Sequence, residues 1–135
     1  MDVEAFLKTI YLGDRACKGL VIDTWNKRLK LHVDSISRVR GLQWNYYNAE
    51  DIEDGFIVFD GVREFRLDPP GPLPNDYISG IEVKPVALSL QPPLYEFRIS
   101  VSSINEHAAS LEVEVRVTAA DCYLEDPAKP GQQIR

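Results

Sequence analysis

The chain has 135 residues, with 21 acidic against 15 basic side chains and a formal net charge of −6. Roughly 100–200 residues suit one domain with a full hydrophobic core, and the charge argues against a phosphate-binding footprint, which needs clustered Lys and Arg where this chain interleaves them with acids. A basic partner is the natural electrostatic complement, although solubility alone explains a modest negative balance.

The two cysteines, Cys17 and Cys122, lie too far apart in sequence to read as a disulfide framework or a zinc site, so free, buried thiols are expected. Met1 to Tyr11 lacks the basic start and apolar stretch of a signal peptide, and no run of about 18 apolar residues occurs. These features predict a cytoplasmic protein that engages neither membrane nor nucleic acid.

In chain order, Asp2 is placed to cap a short helix whose apolar positions Val3, Phe6, Leu7 and Ile10 recur at helical spacing, with Gly13 to end it. From Lys18 the pattern turns to strand. Leu20, Val21 and Ile22 lead to Trp25, and Leu29, Leu31 and Val33 alternate with Lys30, His32 and Asp34. A two-residue turn at Asn26-Lys27 would set Ile22 opposite Leu31 and Asp23 opposite Lys30. Ile36 and Val39 then fall out of step, which predicts a bulge or bend near Asp34-Ser35.

Between Gly41 and Gly55 the aromatics Trp44, Tyr46 and Tyr47 are followed by Asn48 and the acids Glu50, Asp51, Glu53 and Asp54. Asn48 could cap one helical turn with Ile52 pointing inward. Aromatics beside carboxylates form a plausible contact surface for a basic protein, because aromatics anchor interfaces and acids select a basic partner. The plainer reading makes the aromatics a roof over the core and the acids a solvated loop.

Phe56 to Phe59 is a continuous apolar run. Asp60-Gly61 then reads either as a hairpin turn or as a glycine bulge within one strand that continues through Val62, Phe65 and Leu67. Prolines 69, 70, 72 and 74 demand a loop. Asn75-Asp76 could cap a turn before an irregular or edge strand through Ile81 and Val83, cut short by Pro85.

The clearest element is the hairpin from Leu94 to Ala119. Tyr95, Phe97, Ile99 and Val101 alternate with polar residues, as do Leu111, Val113, Val115 and Val117. Charge pairing favours a register that sets Arg98 against Glu114 and Glu96 against Arg116, with a loop from Ser103 to Ala109. Ala120 to Leu124 would extend the last strand, and Pro127 to Arg135 reads as a tail that frays.

The expected architecture is mainly β: one domain over residues 1–126, an antiparallel sandwich or curved sheet of six to eight strands with a short N-terminal helix, followed by a flexible tail at 127–135.

The chain carries no phosphate-binding, dinucleotide-binding, HExxH or GxSxG motif. His32 on a polar strand face and His107 in a loop have no evident partner, and Cys122 beside Asp121 is a poor thiolate. The acids at 50–54 lack the spacing of a calcium loop. Neither a catalytic residue, a metal site nor a cofactor is expected, and enzyme activity is the less favoured class. The alternative is a sandwich or barrel with an internal ligand pocket.

The segments Phe59-Asp60-Gly61-Val62, Asn75-Asp76-Tyr77-Ile78 and Tyr95-Glu96-Phe97 resemble those of small uncharacterised bacterial β-rich domains with F-x-G-V, N-D-x-I and Y-x-F segments. Some families of that kind are associated with immunity to polymorphic toxins. The resemblance implies a binding role and gives no residue a catalytic one.

Overall fold

The computed structural model describes residues 2–39 and 51–135. Among them run a helix α1 (Val3–Leu7) and nine strands: β1 (Ile10–Tyr11), β2 (Cys17–Asp23), β3 (Arg28–Arg38), β4 (Ile52–Asp60), β5 (Glu64–Asp68), β6 (Ile78–Ala87), β7 (Leu94–Ile104), β8 (Ser110–Ala119) and β9 (Asp121–Glu125). One antiparallel sheet is ordered β1-β3-β4-β9, with β2 also paired to β3; the second is ordered β5-β8-β7-β6. The mainly β class with its short helix is the expected one.

The core lies between the sheets. Leu29, Leu31 and Val33 of β3 and Ile57 and Phe59 of β4 face Phe97, Ile99, Val115 and Val117, all at most 1% exposed, and the Phe59 and Phe97 rings meet at 4.9 Å between centroids.

Asp2 caps α1 by accepting the Glu4 and Ala5 N–H groups, but the helix stops at Leu7 and Ile10 enters β1 opposite Arg38. Arg38, buried at 1% exposure, donates to Thr9 Oγ1 at 3.0 Å and lies over the Phe6 ring. Pairing at the far end of β3 thus competes successfully with the third helical turn.

Strands β4 and β5 are neither a hairpin nor one strand. At Gly61 (φ +64°) the chain leaves the first sheet and enters the second. Its antiparallel neighbour does the same at Ala120, whose N–H donates to Asp60 O, while Arg63 N–H donates to Thr118 O. A Cβ at Gly61 would stand 3.0 Å from that of Ala120, so the corner is tight as well as left-handed. Residues 121–125, read as an extension of the last strand, accordingly become β9 of the other sheet. The terminal segment, expected to fray, returns to form a bridge between Ile134 and Leu124 through two backbone hydrogen bonds.

Both hairpin registers differ from expectation by two residues. In β2–β3, Ile22 stands opposite Leu29 and Asp23 opposite Arg28. The loop has four residues because the Asp23 carboxylate caps it, accepting the Asn26 backbone and side-chain N–H groups, and Lys27 takes the positive φ of 55°.

In β7–β8, Arg98 stands opposite Arg116, not Glu114, and Glu96 opposite Thr118. The loop decides this register. Asn105 accepts the His107 and Ala109 N–H groups, while Asn75 binds Ile104 through both its N–H and its carbonyl. The like-charged pair is relieved mainly along the strands, where Arg98 bonds Glu96 at 2.7 Å and Arg116 bonds Glu114, each two residues away, and more loosely on the diagonal, where Arg98 lies 3.9 Å from Glu114 and Arg116 3.5 Å from Asp68. Cross-strand charge pairs, at roughly 0.2–1 kcal/mol each, are therefore too small and too easily replaced to override loop hydrogen bonds.

Candidate functional site

The nominated residues Trp44, Tyr46, Tyr47 and Glu50, and the expected cap Asn48, lie outside the described residues. Asp51, Glu53 and Asp54 fall at the start of β4, where β3 and β4 bend together. Val33 and Ile36 are both buried on β3, as are Ile52 and Gly55 on β4. Two successive residues on each strand therefore leave the core side: Asp34 and Ser35 on one, Glu53 and Asp54 on the other. This is the predicted break in parity, shared by both strands so that their register is unchanged through it.

Local chemistry explains the bend. Asp54 adopts φ +51°, a left-handed conformation that Asp tolerates better than most residues. A Cβ at Gly55 would stand 2.7 Å from Ile52 Cγ2 and 2.9 Å from Ile36 Cδ1, so only glycine lets the two isoleucines close the core there. Asp34 Oδ1 accepts the Ala16 and Ser35 N–H groups, which ties the bend to the start of β2.

The bend presents a compact charged and aromatic group on the outer face of the first sheet. Lys18 donates to Asp54 Oδ1 at 2.6 Å, and His32 Nε2 lies 3.5 Å from the same oxygen. The Lys18 hydrogen bond and charge, with His32 beside them, hold the Asp54 carboxyl below its ordinary range. His32 stacks on Phe56 at 4.8 Å, Lys30 Nζ stands 5.6 Å over the same ring, and Lys30 pairs with Glu125 at 2.8 Å. Nearer the hairpin tip, Arg28 pairs with Asp60 at 3.3 Å.

His32 thus gains a partner that sequence reading missed. Its signal was available: the alternation of β3 puts it on the wet face, and treating Phe56 as the outward residue of a strand would have set the two side by side.

Asp51 is turned elsewhere, accepting the Arg38 N–H at 3.4 Å. Glu53 is exposed and, among the described residues, makes no ion pair.

Chemically, a carboxylate holding an imidazole is half of an acid–base device. Its neighbours here are an ammonium and a phenyl ring, neither of them a hydroxyl or thiol nucleophile. Both thiols are free and buried; burial raises each above its ordinary pKa, and Asp121 adds to the effect at Cys122. Among the described residues no helix is long and apolar enough to cross a membrane. The group is mixed in charge and carries one flat aromatic stack.

A family model described as a family of unknown function (DUF6258) matches residues 1–135. No curated protein and no solved structure matches the chain.

Proposed function

The chain belongs to this family of unknown function, and from its surface we propose that it is a protein-interaction module that takes a basic partner on the outer face of β3 and β4. The observation behind this reading is how charge is distributed there. Lys18, Lys30 and Arg28 are each paired with a carboxylate of the same face, whereas the carboxylates of Asp34 and Glu53 are exposed and, among the described residues, make no ion pair. The charge left to meet a partner is negative, and it borders the His32–Phe56 stack. The segment bearing Trp44, Tyr46, Tyr47 and Glu50 lies in sequence between β3 and β4.

A basic toxin held inactive in the cytoplasm is one form of this role, in keeping with the sequence resemblance. The test is capture from native-host lysate on the immobilised chain, eluted with a salt gradient, beside the variants Glu53→Lys and Trp44→Ala. A basic protein released by moderate salt and lost with Glu53→Lys is expected, because exposed charge contacts are screened within about 10 Å at 0.1 M salt. Capture unchanged in both variants would remove these residues from the contact.

A further inference from the structure

We propose that β2 is the seam of a homodimer, in which two copies pair their β2 edges antiparallel about a two-fold axis at Val21. On one side β2 is hydrogen-bonded to β3. On the other, cover ends early: Ala16 bridges Tyr77, Cys17 N–H donates to Asp76 O and Ile78 N–H donates to Arg15 O. From Gly19 to Asp23 no backbone bond reaches that side among the described residues. The open stretch carries exposed apolar side chains, Val21 at 46% and Ile22 at 54%, which is the composition that strand addition uses and that lone edges avoid.

What identifies a second copy as the occupant is self-complementarity. Strand faces alternate, so a register with Val21 opposite itself uses the whole free segment 19–23 and keeps like faces together. It sets Leu20 opposite Ile22 of the second copy twice on the core side, covering the exposed Ile22. On the outer face it sets Gly19 opposite Asp23 of the second copy. The register shift at Lys18 puts that residue on the outer face beside Gly19, as its pairing with Asp54 requires. Lys18 of each copy therefore comes alongside Asp23 of the other, giving two symmetric opposite-charge contacts. A seam of five residues is smaller than the roughly 800 Å² per partner of a stable complex, so the dimer is reversible and concentration-dependent. This surface meets the β3–β4 face only at Lys18, which holds Asp54 of its own chain, and its test needs only the purified chain.

The test is sedimentation velocity across a concentration series on three proteins: the native chain, Val21→Glu and Val21→Lys, with circular dichroism to verify folding. Val21 is exposed on the outer face, so neither change disturbs the core. The native chain is expected to move from the mass of one chain to twice that mass as concentration rises. Each variant, with like charges meeting at the axis, is expected to stay at the single mass, and an equimolar mixture of the two is expected to recover the doubled mass. A native chain that stays single at its highest soluble concentration would overturn the proposal. Variants that dimerise like the native chain, or a mixture that fails to recover the dimer, would do the same.

Discussion

The free edges of the two sheets are built differently. In the second sheet, β5 is five residues long and its outward positions are Glu64, Arg66 and Asp68, while β6 is broken by register shifts at Gly80 and at Pro85, which has no N–H to offer. Short length, charge, bulges and proline are the usual protections of an edge. In the first sheet, β2 runs unbroken from Gly19 to Asp23 with Val21 and Ile22 exposed, and Trp25 at its hairpin tip is 91% exposed. The outer faces differ in the same sense. Three arginines, Arg66, Arg116 and Arg98, stand side by side across the second sheet, and Arg98 and Arg116 are neutralised from the rungs on either side by Glu96, Glu114 and Asp68. In the first sheet Asp34 and Glu53 make no ion pair among the described residues. The second sheet ends in short, charged or broken strands, whereas β2 of the first does not.

This contrast separates stability from contact, and substitutions can sharpen it. The largest expected effect is Phe97→Ala, which empties a fully buried site between the sheets and should cost about 3–5 kcal/mol in urea unfolding. Val21→Ala on the open edge should stay within about 0.5 kcal/mol. Next is Gly55→Ala, which forces Ile52 and Ile36 apart at the bend and should cost about 1–3 kcal/mol; Gly19→Ala, with nothing within 4 Å of the new methyl group, should be near neutral. Asn105→Ala removes the acceptor for two loop N–H groups and should cost about 1–2 kcal/mol, with faster amide exchange at the Ile104–Ser110 end of the hairpin.

The smallest effect is a pH dependence. Burial pushes the Asp121 carboxyl up, but the paired Arg135 guanidinium, at 2.7 Å, and the Cys122 N–H together hold it below its ordinary value. Because the folded form ionises more readily than the unfolded one, this contribution is present at neutral pH and is lost as pH falls through about 4 and below. The pair is about one-third exposed, which keeps it under ~1 kcal/mol. Arg135→Ala should lower thermal stability slightly at pH 7, and the difference should vanish in acid.

How much of this was legible in the sequence follows from what alternation can encode. It assigned the faces of β3, β7 and β8 correctly, because period two is a property of the strand alone, and it located the bend at Asp34-Ser35. Register was not legible, because sliding by two residues preserves every face. Asn105, Asn75 and Asp23 made the choice through side-chain bonds to loop backbone that no alternation pattern records. The change of sheet at Gly61 and Ala120 was hidden for a related reason: the buried positions change parity there, from Val117 and Ala119 to Cys122 and Leu124, but a bulge within one strand gives the same pattern. At the candidate site, sequence reading nominated Asp54 and its acidic neighbours but not Lys18 or His32, which reach Asp54 from β2 and β3 through pairings that only the fold supplies.

The most direct measurement is amide hydrogen exchange on the chain alone and in complex with the captured basic protein. Protection gained in Val33–Arg38 and Ile52–Phe56, with Glu112–Arg116 of the second sheet unchanged, is the expected result. New protection confined to the second sheet, with the bend of β3 and β4 exchanging as it does alone, would contradict the assignment of contact to the first.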